Sequence, residues 1–406
     1  MTTLALPRYA TDLHALDELP THWVQTTDAL YALIDEIDSI DVVALDTEFI
    51  KRTTYYPILA LIQINTGKAI YLVDAPKLDL TDLWQALIEV PTMVWYACGE
   101  DLGIFYLLAK CPPLNNVFDV QLGVAYLSGK LQIGYSQAAD EILGVHIDKG
   151  ESQSNWLARP LTQEQENYAA NDVRYLLALY QAVQSELKAR QLYDYACEDS
   201  HSYAHELHDT QNLPDDQLYL DLIAPIYTRR QLTLLQQLTI WREALARATN
   251  EPRSFIIGKQ ALREIVQQMP DSIKLLARTT INRAALRRYG DEIVRIVRQV
   301  NAMSENNLPP MPPPSYHSKD KPFKNAVNDA VENFSQATGV PAILLLKNRW
   351  INQLLQITAF DGDISELPRE LHGYRKALIV EQILPILGEY KAQIVSVFNQ
   401  PPQSAS

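Results

Sequence analysis

Cysteine is scarce in this chain: Cys98, Cys111 and Cys197 are the full set in 406 residues, and no two form a CxxC pair. An odd, scattered set excludes a disulfide framework and a cysteine-rich zinc site, and it fits a reducing cytoplasm. No run of about 18 apolar residues occurs, so no membrane span is expected. Residues 1–20 carry early acids and no apolar core, so no signal peptide is expected either. Internal repeats, low-complexity tracts and glycine-rich phosphate loops are missing as well.

What is present is acid, unevenly spread. Net charge is −14, which by itself speaks against a polyanionic partner. Residues 1–228 hold 12 Lys+Arg against 33 Asp+Glu, whereas residues 229–300 hold 14 against 6 and residues 301–406 hold 9 against 10. One compact basic block in an acidic chain has the form of an electrostatic footprint for a polyanion, or of an Arg-rich solvated helical surface. At 47% hydrophobic residues the chain can bury real cores, and its length suits two or three domains.

The stretch Val42-Val43-Ala44-Leu45-Asp46-Thr47-Glu48-Phe49-Ile50 reads as a buried strand that ends on two acids. Residues two apart in a strand share a face, so Asp46 and Glu48 present their carboxylates together. Such a pair is costly unless it is wet or a cation sits between the two acids. Around it, a helix is predicted over 27–37, strands over 58–64, 69–73, 93–97 and 117–120, helices over 80–90, 102–109, 121–127 and 135–143, and a long helix over 162–189. The three strands from 42 to 73 suit a meander. Residues 1–210 thus form an α/β domain. After a connector at 211–228, helical bundles are predicted over 229–302 and 319–395, separated by a Pro-rich linker at 303–318 and followed by a disordered tail at 396–406.

Further acids fall in suggestive places. Asp101 opens a helix directly after a strand, where α/β sites form, although a helix-dipole role alone would explain it. Tyr168 and Asp172 stand at i and i+4 on one helix face. Together, Asp46, Glu48, Asp101 and Asp172 offer oxygen ligands suited to two hard divalent ions, Mg²⁺ or Mn²⁺. Two such ions about 3.5–4 Å apart serve in-line phosphoryl displacement. Tyr168, with an ordinary phenol pKa of about 10, suits orienting a water better than acting as a full base. A competing set, His201, His205 and His208, has helical spacing that could bind zinc, but no H-E-x-x-H pattern accompanies it. A solvated linker helix is the preferred reading there.

These motifs resemble those of the tyrosine-bearing branch of the DEDD exonuclease superfamily, and specifically of its ribonuclease D family. Leu45 to Phe49 is similar to the first motif, Thr54 to Ile64 to the strand after it, Gly99 to Leu102 to the second motif and Tyr168 to Asp172 to the third. Leu143 to Val145 and Trp156 to Leu161 also look like family sequence. The helices around 252–256 resemble a helicase-and-RNase-D C-terminal (HRDC) domain, with a more divergent copy suggested over 344–387. The resemblance implies a ribonuclease H-like mixed-sheet domain followed by two small all-α bundles. It also implies a 3′→5′ exoribonuclease that releases nucleoside 5′-monophosphates from RNA, with tRNA precursors as the expected substrate. Nothing in the sequence demands a partner subunit, so a monomer is expected, and the cysteine usage suits the cytoplasm. Lys51, Arg52, Tyr56, Gln63 and Trp156 are candidate contacts to the 3′ nucleotides, and Arg229, Arg230, Arg253, Lys259, Arg287 and Arg288 to the phosphates. Tyr96, where relatives commonly have histidine, and Asn155 and Asn171, where an acid is common, depart from the pattern and are expected to modulate metal affinity. The four acids do not read the sugar, so a DNA exonuclease stands as an alternative, as does a non-catalytic RNA-binding protein.

Overall fold

The computed structural model describes residues 4, 6, 8–147, 150, 154–224, 226–309 and 321–398. The predicted linker from 310 onward and the predicted tail from 399 onward lie outside the described residues. Two compact units are present. The first comprises Met1–Ile50, Leu59–Gln211 and Ser318–Tyr390, and the second Lys51–Ile58, Asn212–His317 and Lys391–Ser406. No helix among the described residues is long and apolar enough to cross a membrane.

The first unit is built on a six-stranded mixed sheet in the order β1-β4-β3-β2-β5-β6. Its strands are β1 (Thr21–Val24), β2 (Val42–Ile50), β3 (Ile58–Asn65), β4 (Ile70–Val73), β5 (Thr92–Trp95) and β6 (Val117–Asp119). The pairs β1–β4, β2–β5 and β5–β6 are parallel, and β3–β4 is antiparallel. Both faces are covered, which is why β2 and β3 are apolar nearly throughout instead of alternating. Helix α1 (Thr27–Ile37) buries Leu30, Leu33, Ile34 and Ile37 from one stripe, and the Thr26 side chain caps it by accepting the Ala29 N–H. Helices α2 (Thr81–Glu89), α3 (Gly99–Ala109) and α4 (Val120–Ser128) follow the strands.

The predicted long helix is two helices, α5 (Gln163–Arg174) and α6 (Leu176–Ala189). A capping box between Thr162 and Gln165 starts α5. It stops where the Arg174 guanidinium donates to the carbonyls of Leu16, Asp17 and Leu19 and the Tyr175 hydroxyl donates to Asp17 at 2.6 Å. These tertiary bonds are what a helical periodicity cannot show. Helix α7 (Tyr193–Gln211) buries Ala196, Ser200 and Ala204, so it is packed helix and not the solvated linker that its polar sequence predicts.

Residues 321–390 dock on α7. The Arg375 side chain, 1% exposed, donates to Asp199 at 2.6 Å, and the Tyr126 hydroxyl donates to the same carboxylate. In the second unit, helices α8 (Arg229–Thr249), α9 (Lys259–Gln268) and α10 (Arg283–Ala302) enclose a core of Leu234, Leu238, Ile265, Ile293 and Val297. Residues 51–58 pack with this bundle: Tyr55 lies against its core, and its N–H donates to Asn250.

Candidate active site

β2 outlasts its neighbour. Its pairing with β5 ends at Ala44↔Val94, so Asp46 and Glu48 sit on a length of strand that runs past the end of β5. Carboxylate oxygens of Asp46, Glu48 and Asp172 lie within 4.8 Å of one another, and among the described residues no other group of three potential ligands is so arranged. Asp172 arrives from α5, which packs over β2 and β4. The three acids line a cleft of about 200 Å³ together with Tyr168, Tyr135 and Tyr96. Asp101, in the first turn of α3, is held by a hydrogen bond donated from the Thr47 hydroxyl.

No ion pair reaches any of the four acids among the described residues. Burial, then repulsion from Asp101, Asp172 and Glu48, drives Asp46 well above the usual carboxylate range. Burial and then Asp172 and Asp101 push Glu48 up to about 9, and burial and then Asp101 push Asp172 up to about 7. Burial lifts Asp101 to about 6 despite the Thr47 hydroxyl, which favours its charged form. Four half-buried acids without a cation make an oxygen-only, strongly negative cleft, which is the donor set hard divalent ions take.

Tyr168 faces this cleft, and its phenol is raised by burial and then by Asp172, Glu48 and Asp46. It therefore stays protonated at neutral pH, able to orient a water but not to strip it. The Tyr96 hydroxyl donates to the Ile133 carbonyl at 2.7 Å, so its ring lines the cleft while its oxygen is engaged elsewhere. The Asn171 side chain accepts from Arg174 at 3.1 Å, and that of Asn155 accepts from the Leu157 N–H at 3.3 Å.

The candidate RNA contacts divide. Gln63 is 0% exposed with neither amide atom bonded, and Trp156 is 2% exposed in the core beneath α5, so both are interior side chains. Lys51, Arg52 and Tyr56 are exposed in the second unit, the Tyr56 N–H donating to Asn250 at 3.1 Å. Arg229 donates to the carbonyls of Leu308 and Pro309, Arg230 to those of Val300, Asn301 and Met303, and Arg253 to the Glu243 carboxylate. Those three arginines hold the bundle together. Arg288 pairs loosely with Glu251 at 3.3 Å. Lys259 and Arg287 are exposed, and neither has a hydrogen bond or ion pair among the described residues. His205 bonds Asn115 and His208 meets the Tyr106 ring, and among the described residues the three histidines form no metal-ligand group.

Thr47, Tyr135 and Asp119 escaped sequence reasoning as site residues. Asp119, 4% exposed at the end of β6, accepts the N–H groups of Ala97, Cys98 and Gln121. For Asp119 the signal was available, since an acid closing an apolar strand is the same pattern that drew notice at Asp46.

Residues 21–188 match the model of a 3′-5′ exonuclease family, and residues 231–297 match that of the HRDC domain. The chain is 30% identical over 379 residues to ribonuclease D of Escherichia coli (strain K12), covering 90% of this chain and 98% of that protein. It is 27% identical over 369 residues to ribonuclease D of Pseudomonas paraeruginosa, covering 90% and 97% respectively. The crystal structure of Escherichia coli RNase D, described as an exoribonuclease involved in structured RNA processing, superposes with a TM-score of 0.82 at 28% identity, covering 92% of this chain and all of that one. The 30% identity across nearly the whole of both chains and the matching fold show that the chain belongs to the ribonuclease D family of 3′-5′ exoribonucleases.

Proposed function

We propose that this exoribonuclease trims structured RNA from the 3′ end by two-metal phosphodiester hydrolysis, with tRNA precursors as its substrate class. The observation that carries the mechanism is the set of carboxylates of Asp46, Glu48 and Asp172 within 4.8 Å of one another with no protein cation beside them. Asp46, Glu48, Asp172 and Asp101 would hold two Mg²⁺ or Mn²⁺ ions. Bound there, such ions neutralise the phosphoryl oxygens and acidify a water.

The rest falls to the chain. The Tyr168 hydroxyl, kept protonated by burial and by the acids around it, hydrogen-bonds the attacking water and sets its line of approach to phosphorus. The P–O3′ bond breaks, the leaving 3′ oxygen takes up a proton, and a nucleoside 5′-monophosphate departs. Tyr96 and Tyr135, whose rings lie 5.3 Å apart in the cleft, supply apolar walls for the terminal nucleotide. Lys259 and Arg287 are exposed side chains of the first bundle free to meet phosphates, and Lys51, Arg52 and Tyr56 are exposed candidates for contacts nearer the 3′ end. The enzyme acts as a monomer in the cytoplasm, where its three free thiols would stay reduced.

The test is to incubate the purified protein with a 3′-extended tRNA and a matched DNA strand, with Mg²⁺ or Mn²⁺ and then with EDTA. Metal-dependent shortening of the tRNA from its 3′ end, with release of 5′-monophosphates, is expected. No shortening with metal contradicts the mechanism, and equal turnover of DNA contradicts the RNA substrate.

A further inference from the structure

We propose that Thr47 and Asp119 are positioning residues for Asp101, fixing it from two sides against the repulsion of the other three acids. The inference rests on the metal-binding reading of the cleft. Asp101 is the one acid of the four outside the tight group formed by Asp46, Glu48 and Asp172. Facing like charges, an untethered carboxylate would swing outward. Thr47 prevents this. Alternation along β2 turns its side chain away from Asp46 and Glu48, it is buried, and its hydroxyl donates to Asp101 Oδ1.

Asp119 acts on the backbone beneath. It lies beside Trp95 in the parallel β5–β6 pairing, and its carboxylate accepts the Ala97 N–H at 2.9 Å and the Cys98 N–H at 3.3 Å. Those residues form the turn from which α3 starts, just ahead of Asp101 in the chain. Ala97 has φ +58°, a left-handed conformation that a residue with a Cβ adopts at a cost, so something must hold it there. Asp119 is in turn fixed where its own N–H donates to the Ser200 hydroxyl at 3.2 Å. One hydroxyl therefore sets the carboxylate and one buried carboxylate sets the helix that carries it.

Thr47→Val keeps the shape and β-branching and removes only the hydroxyl. Partners standing behind a metal ligand typically matter by about 10- to 100-fold, so kcat should fall by about that factor while KM for RNA stays within about twofold. Mn²⁺ binding to the resting protein, followed by electron paramagnetic resonance without substrate, should weaken by about tenfold for the weaker ion. Thr47→Ser, which restores the hydroxyl, should recover both. Asp119→Asn should lose kcat and Mn²⁺ affinity in the same way and lower Tm in addition. Wild-type kcat and Mn²⁺ binding in Thr47→Val overturn the role of Thr47. An Asp119→Asn protein altered in Tm alone overturns that of Asp119. If the unaltered protein binds no Mn²⁺, the metal reading itself fails, which is a distinguishable result.

Discussion

Two kinds of inward-facing acid occur in this molecule, and they differ in what surrounds them. Glu243, in the bundle of the second unit, is 1% exposed, and Arg247, Arg253 and the Tyr55 hydroxyl converge on it. Burial pushes its carboxyl up, but the bonds from Arg253 and Tyr55 outweigh burial and hold it below the usual range. Asp74 in the first unit is treated alike, with Arg159 at 2.7 Å and Lys77 at 3.1 Å. The acids of the cleft receive no such partner, and all four are driven upward. For Glu243 and Asp74 the chain supplies its own cation, whereas buried Asp119 is held by backbone N–H groups; in the cleft the cation is left to solution. Pairing, more than depth, decides the sign.

Asp46→Asn should separate the two kinds most sharply. It removes a candidate ligand and one of the repelling charges, so kcat should fall by about 10³-fold or more. Melting of the metal-free protein should nevertheless move to higher temperature. Glu243→Gln should do the reverse to stability: it strands two arginines and lowers unfolding free energy by about 3 kcal/mol, measurable by urea denaturation. A destabilised metal-free Asp46→Asn protein would break the comparison.

Tyr168→Phe should reduce kcat by about 10- to 100-fold through loss of the water's orientation, with the pH profile otherwise unchanged because the phenol does not titrate near neutrality. A shifted alkaline limb would instead make Tyr168 a base. The smallest effect is expected from the exposed charges of the bundle, where Lys259→Gln with Arg287→Gln should lessen the slope of log affinity against log salt by about 2. Arg230→Gln, which loses the carbonyls it holds at the end of α10, should lower Tm more than it changes that slope.

Much of this was legible in the sequence. The apolar run into Asp46 and Glu48 reads correctly as a buried strand, and the i, i+4 spacing of Tyr168 and Asp172 puts both on the cleft side of α5. What stayed hidden depends on tertiary partners. β1 is a four-residue edge strand, Thr-His-Trp-Val, too short and too polar to announce itself. The break between α5 and α6 is made by the partners of Arg174 and Tyr175 more than a hundred residues away in the chain. The basic block is visible in the charge distribution, but tertiary contacts separate Arg229, Arg230 and Arg253, which bind their own bundle, from Lys259 and Arg287. The inward turn of Gln63 follows from β3 being covered on both faces, which a polar residue within an apolar run does not disclose.

The cleft acids also fix a pH dependence. Folded values of about 9 for Glu48, about 7 for Asp172 and about 6 for Asp101 lie above the ordinary values of 4.5 and 3.8. A raised folded value means the unfolded chain releases these protons first, so the contribution of these acids to metal-free stability is greatest below pH about 4 and declines up to about 9. A bound divalent cation reverses the penalty by favouring the ionised forms. The most direct measurement is therefore the melting temperature of the metal-free protein at pH 5 and pH 8, with and without saturating Mn²⁺, alongside Asp46→Asn. Without metal the melting temperature should be lower at pH 8 than at pH 5, Mn²⁺ should raise it more at pH 8, and Asp46→Asn should respond little. A melting temperature indifferent to Mn²⁺ at pH 8 would contradict metal binding in the cleft.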